Sequence, residues 1–226
     1  MPFATLPAAL ADVRRRIASA VERGGDAQSV TIVAVTKTFG PDAPLAAFGA
    51  GLTDVGENRV QEALDKIALV PAPLRWHLIG HLQRNKVKLT DPFALVHGMD
   101  SPRLADALHV HGATRGTPVP VLLQVNSSGE ETKGGYTPSG IAAEAVRLKS
   151  MDGVLVRGVM TMAPFDAPES MLRATFRGAR QVRDMLAGAG LPALELSMGM
   201  SGDFEVAVEE GATMVRLGTI LFGTRG

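Results

Sequence analysis

Apolar, β-branched runs recur eight times along the chain, separated by segments whose apolar residues repeat at helical spacing. The runs are "TIVAVTK" (31–37), "LTDVGEN" (52–58), "RWHLIGH" (75–81), "FALVHGMD" (93–100), "PVLLQVN" (120–126), "VRGVMTM" (156–162), "LELSMGM" (194–200) and "TMVRLGTILFG" (213–223). Strands that alternate with helices pair in parallel through right-handed crossovers, and eight such units close into a (β/α)8 TIM barrel of the α/β class. The fourth run has the weakest strand signal and "DVGEN" is short, so an open doubly wound sheet is the structural alternative.

The helical segments support this. In the first, Leu10, Val13, Ile17 and Val21 share a face, Thr5 can cap the start, and Gly24-Gly25 ends it. In "PESMLRATFRGARQVRDMLAGAG" (168–190), Leu172, Phe176, Ala179, Val182 and Leu186 hold one face. "GIAAEAVRLKS" (140–150) is another helix, and "QRNKVKL" (83–89) reads as a solvated helix face. The expected organisation is a single domain over 1–226, with an extra N-terminal helix at about 5–23 and the barrel at about 30–224.

Composition narrows the function classes. Lys plus Arg and Asp plus Glu both number 23, and the basic residues are scattered, so no nucleic-acid or anionic-membrane footprint is expected. The absence of cysteine removes disulfides, thiolate metal sites and cysteine nucleophiles together. No window approaches the ~20 apolar residues of a membrane span, and the N-terminus lacks the apolar core of a signal peptide. A soluble cytoplasmic protein is the expectation.

A barrel of this kind builds its site at the C-terminal ends of the strands. The polar residues at those positions are Lys37, Glu57, Asn58, His77, His81, Asp100, Asn126, Thr161, Ser201, Arg216, Gly218 and Thr219. Taken singly, each is explained as a cap or turn residue; Asn58 would begin the next helix. The last two strands carry more. "SMGMSGDFEVAVEEG" puts a Gly-Met-Ser-Gly turn before a helix, and in "VRLGT" Gly218 permits close backbone approach while Thr219 offers a hydroxyl. Loops after strands seven and eight are the recurrent phosphate site of the architecture, although tight barrel turns account for these glycines equally well.

Closure of the barrel sets strand one beside strand eight, and therefore Lys37 beside that cradle. An enclosed lysine loses solvation, which favours the neutral amine that attacks an aldehyde. Arg216, two residues before Gly218, points to the same side and could partner a ring nitrogen. Lysine, phosphate cradle and ring-nitrogen partner are the fittings of a pyridoxal 5'-phosphate (PLP) site.

Across nearly the whole chain and in the expected order, "AVTK", "VGENRVQEALDK", "WHLIGHLQRNK", "VRGVMTM" and "SMGMSGDFEVAVEEGATMVRLGTILFG" resemble the pyridoxal phosphate homeostasis protein family. That family is a single-domain barrel similar to the N-terminal domain of alanine racemase, without the racemase's additional β-domain. The resemblance implies that Lys37 forms the internal aldimine with PLP, that Ser201, Gly218 and Thr219 hold the phosphate, and that Arg216 approaches the pyridine nitrogen. It further implies that Asn58, His77, Met160 and Met200 line the cofactor pocket, though core packing explains both methionines as well. The implied role is intracellular PLP homeostasis, with PLP-requiring apo-enzymes as transient partners and a monomeric state. One departure stands out: the family often carries a second lysine two residues after the first, where this chain has Phe39. Lys133, in "NSSGEETKGGY", matches a lysine frequent in the family that would be a secondary amine near the mouth, but it reads first as a solvated loop residue.

The main alternative is a PLP-dependent, racemase-like enzyme. Such an enzyme needs an acid or base on each face of the carbanion. The related racemase uses a tyrosine opposite its lysine, and the sole tyrosine here, Tyr136, follows strand five. His77, His81 or Lys133 would have to substitute. Arginine is a pure donor, so Arg216 would leave the pyridine nitrogen unprotonated and weaken the ring as an electron sink. Without PLP, the best reading is a barrel enzyme that uses Lys37 on a phosphorylated carbonyl substrate. "HLIGH" lacks the glutamate of a zinc-protease HExxH helix, and no P-loop, GxGxxG or GxSxG pattern occurs.

Overall fold

The computed structural model describes residues 3–127 and 134–223. Eight strands, β1 (Thr31–Val35), β2 (Asp54–Glu57), β3 (Arg75–Leu78), β4 (Leu95–Met99), β5 (Val119–Gln124), β6 (Val154–Met160), β7 (Glu195–Ser197) and β8 (Met214–Leu217), form one closed parallel barrel in sequence order. Around them run α1 (Leu6–Gly24), α2 (Asp42–Gly49), α3 (Val60–Leu69), α4 (Pro102–Arg115), α5 (Ile141–Lys149), α6 (Glu169–Gly188), α7 (Phe204–Glu209) and α8 (Thr219–Phe222), and a 3-10 turn at Arg84–Leu89 takes the place of a helix between β3 and β4. The open-sheet alternative is excluded by the pairing of β1 with β8, in which Val33 lies opposite Arg216 and Ala34 opposite Leu217.

The weakly signalled fourth run does form a strand, buried along its whole length. Two boundaries differ from the sequence expectation. The strand in "TIVAVTK" ends at Val35, which puts Lys37 in the turn that follows. The run "TMVRLGTILFG" divides at Gly218 into β8 and the short helix α8, because an eight-stranded barrel wall needs only the first part of that run.

Two hydrophobic layers result. Val33, Leu95, Leu122, Met160 and Met214 fill part of the barrel interior. A larger cluster lies between the sheet and the helices, where α6 contributes Phe176, Ala179, Val182 and Leu186. Each such Leu, Val or Phe side chain contributes about 1.5–3 kcal/mol on burial. Helix α1 packs on α7 and α8 through Leu6, Leu10, Val13 and Ile17, and Arg16 adds an ion pair to Glu205 at 2.6 Å. It ends at the Gly24-Gly25 pair as expected, whereas Thr5, at the capping position, makes no side-chain cap. Among the described residues, no helix is long and apolar enough to cross a membrane.

Candidate functional site

The β1–β8 pairing brings the chain ends that follow these strands side by side at the C-terminal mouth. Val35 lies against Gly218, where an added Cβ would sit 3.5 Å from the Val35 Cβ, an ordinary contact. Lys37 follows two residues later and is exposed, so the protein by itself does not supply the enclosure expected for its amine. Thr219 is also exposed, at the start of α8. Ser201, in the turn after β7, joins this edge: its Oγ accepts a hydrogen bond from the Ile220 N–H at 3.3 Å. The turn itself is shaped by Gly199, whose φ of 94° favours glycine and whose Cβ would approach the Ala207 Cβ to 2.7 Å. Asp203 closes it by accepting from the Met200 N–H at 2.6 Å, and burial pushes the Asp203 carboxyl up.

The turn that carries Lys37 is gripped from outside the barrel. Lys66 Nζ donates to the Thr36 carbonyl at 2.8 Å and to Glu57 Oε1 at 2.7 Å, and the Thr36 hydroxyl donates to the same Glu57 oxygen at 2.5 Å. On the other side of Lys37, the Thr38 N–H donates to Glu62, which is itself bonded to Lys66 at 3.0 Å. Thr38 has φ 66°, a left-handed conformation for a β-branched residue that persists only where its surroundings hold it. Phe39 packs in a trio of rings with Phe3 and Phe222, with centroids 5.5 and 5.6 Å away, which ties the loop after β1 to α8.

Glu57 therefore does not face the mouth, as its position at a strand end suggested. Side chains alternate along β2: Asp54 and Gly56 face the interior and Glu57 the helices, where it lies fully buried under α3. Burial raises its carboxyl, partly offset by Lys66 and Thr36, and its second oxygen, Oε2, is buried with no partner among the described residues. Asn58 is exposed at the mouth, and Arg59 instead holds the N-cap position of α3, without a side-chain cap. Its carbonyl is approached closely by Gly80, where a Cβ would be only 2.3 Å from the Asn58 O.

Arg216 is the buried cation of the site, 4% exposed. Its Nη1 donates to the Ser197 carbonyl and Oγ, both at 2.7 Å, and its Nη2 donates to the Thr161 carbonyl at 2.9 Å. Burial pulls its pKa down to about 10, so it remains cationic at neutral pH. His77 and Met160 lie in the interior below the rim, both buried, and Met200 is partly exposed beside Ser201. His81 stands at the mouth, its Nδ1 2.9 Å from Asp100 Oδ2. Tyr136 is buried among the outer apolar cluster, and Lys133 lies outside the described residues.

The group of residues at the β1–β8 edge suits an acceptor-rich aromatic phosphate: two hydroxyls, an exposed amine and a buried guanidinium, Arg216, whose bonds to Ser197 and Thr161 leave two N–H groups to offer. Sequence reasoning missed Asp54, Lys66, His97 and Ser197. The available signal was a polar residue inside each otherwise apolar run, or on a buried helix face, since such a group needs a partner.

Comparison with known proteins agrees with this architecture. The alanine racemase N-terminal domain matches residues 9–226. The pyridoxal phosphate homeostasis protein of Aquifex aeolicus is 42% identical over 222 residues, covering 96% of each chain. That of Pseudomonas aeruginosa is 40% identical and covers 99% of this chain and 97% of its own. PipY of Synechococcus elongatus PCC7942, solved with PLP bound, superposes with a TM-score of 0.84 at 35% identity, over 96% of this chain and all of that one. An alanine racemase of Clostridium difficile 630, at 14% identity and a TM-score of 0.75, shares the fold over 93% of this chain and 56% of its own.

Proposed function

The chain belongs to the pyridoxal phosphate homeostasis protein family, and from that premise we propose that it binds PLP at the barrel mouth, covalently through Lys37, and serves PLP homeostasis and supply rather than substrate turnover. The observation that carries the reading is the β1–β8 pairing, which gathers Lys37, Gly218, Thr219 and Arg216 at one edge. PLP would supply an electrophilic aldehyde and an electron-accepting ring. Lys37 provides the amine. Ser201, Thr219 and the backbone at Gly218 receive the phosphate, Arg216 donates toward the ring nitrogen, and Asn58 and Met200 border the ring. His77 and Met160 support the floor from the interior.

Two features favour homeostasis over a racemase-like reaction. Tyr136, the sole tyrosine, is buried in the apolar layer between sheet and helices, and Arg216 can only donate, which leaves the ring nitrogen without a proton. Among the described residues, the His81–Asp100 pair at the mouth is an acid–base group on which turnover would draw. Transient delivery to PLP-requiring apo-enzymes, a monomeric state and a cytoplasmic setting belong to the same proposal.

The test is the visible spectrum of the purified chain after PLP addition, then borohydride reduction and peptide mapping. The reading expects a coloured species fixed by reduction onto Lys37 and lost in Lys37→Ala. A colourless chain, or an adduct mapped to another lysine, overturns the assignment.

A further inference from the structure

A polar chain crosses the barrel interior from the mouth toward the opposite face. Arg216 on β8 meets Ser197 Oγ on β7 at 2.7 Å, and Ser197 Oγ lies 2.9 Å from His97 Nδ1 on β4. His97 Nε2 is 2.9 Å from His77 Nδ1 on β3, and His77 Nε2 is 2.8 Å from Asp54 Oδ1 on β2. All five side chains are buried. Asp54, the first residue of β2, lines a cavity of about 260 Å3 with Arg14, Thr31 and Thr53, at the end of the barrel away from Lys37.

Apolar side chains fill the interior around this chain, and replacing buried charges by well-packed hydrophobic residues is often stabilising. Core filling alone therefore does not call for it. The chemistry of its ends gives it a direction. A guanidinium can only donate and a carboxylate can only accept, so one arrangement satisfies every link with neutral rings. Arg216 donates to Ser197, the Ser197 hydroxyl to His97 Nδ1, His97 Nε2–H to His77 Nδ1, and His77 Nε2–H to Asp54. Arg216 touches no carboxylate along this route; its contacts are the oxygens of Ser197 and Thr161. Two other charges bear on the ends: Asp203 acts on Arg216, and Arg75 Nη1 lies 3.5 Å from Asp54 Oδ1.

We propose that Asp54 is a positioning residue for Arg216 across the barrel: acting through His77, His97 and Ser197, it locks both histidines as Nε2–H tautomers and holds the guanidinium at the mouth. Charge placed at the mouth and charge at Asp54 are thereby coupled along one oriented line of hydrogen bonds. The effect on a bound cofactor rests on the function proposed above, but the tautomers do not.

The experiment is nitrogen-15 NMR of the histidine rings in the full chain without added cofactor, compared with Asp54→Asn. In the parent protein, both His77 and His97 are expected to show a protonated Nε2 and a bare Nδ1. An amide at position 54 can donate as well as accept, so it no longer imposes a direction. His97, two hydrogen bonds away, should then show a mixture of tautomers, an effect that loss of packing at residue 54 would not produce. A protonated Nδ1 on His97 in the parent, as a doubly protonated His77 would require, overturns the proposal. So does an unchanged His97 in a folded Asp54→Asn chain. Should that variant fail to fold, the parent spectrum alone decides. Failure to bind PLP would count against the proposed function and leave this result intact.

Discussion

Lys66 Nζ lies 2.7 Å from Glu57 Oε1, both side chains buried outside the barrel wall, and the same ammonium holds the carbonyl of Thr36 beside Lys37. Breaking a buried ion pair from one side strands the other charge, at a cost of about 3–5 kcal/mol. Lys66→Met should lose about that much in urea unfolding, and adding Glu57→Gln should recover much of it. Since burial already raises the Glu57 carboxyl, a proton restores neutrality there, and the deficit of the single variant should shrink as the pH falls. Equal losses in the single and double variants would dissociate the pair from stability.

His97 gives the fold a pH dependence of opposite sign. Burial, with the nearby Arg216 charge, holds its pKa well below the ordinary 6.5. The folded chain then binds fewer protons than the unfolded one, so stability is full above pH 6.5 and declines as pH falls below it, by up to about 1.4 kcal/mol per pH unit for this one group. Unfolding curves between pH 7.5 and pH 5, buffer values chosen to span about this range, should show the decline in the parent and a flatter profile in His97→Gln. Matching slopes would place the proton uptake elsewhere.

Phe39 joins Phe3 and Phe222 in a ring cluster. It is half-buried, so Phe39→Ala should cost about 1–3 kcal/mol through lost area and ring contacts. The loop after β1 would loosen from α8 with it. Hydrogen exchange at 37–40 and 219–222 should accelerate together; acceleration of one segment alone would argue against the clasp.

Ser201→Ala and Thr219→Val each remove one hydroxyl from the proposed phosphate edge while leaving Lys37 in place. Loss of one hydrogen bond to a charged group corresponds to about 1.5–3 kcal/mol, or roughly tenfold or more in PLP affinity. Equilibrium binding monitored by absorbance checks this, and parent-like affinity in both variants would remove these residues from the phosphate site.

Gly80→Ala tests the rim on its other side. Its new Cβ would fall 2.3 Å from the Asn58 carbonyl, a backbone atom that can yield only by moving the loop after β2. Overpacking of this kind costs about 1–3 kcal/mol, and the melting temperature should fall accordingly.

Much of the architecture was legible in the order of residues. Eight apolar runs separated by helical patterns specify strands and helices because burial of one face requires a period, and the period is written locally. The placement of Lys37 near Gly218 and Thr219 followed from closure, once eight parallel units were counted. Strand ends were less legible: in "TIVAVTK" and "TMVRLGTILFG" the apolar composition continues past the last ladder bond, and composition alone does not say where pairing stops.

The sequence by itself determined the barrel, its element order and the edge at which Lys37, Ser201, Gly218, Thr219 and Arg216 gather. Only the tertiary structure decided which polar groups find one another. It turned Glu57 outward to Lys66 and left Lys37 exposed. It also joined Asp54, His77, His97, Ser197 and Arg216, residues from five different strands, into one line. The reason is physical: periodicity is a property of neighbours along the chain. A buried polar side chain is satisfied by whatever the closed barrel sets within about 3 Å of it, and no local pattern records that partner.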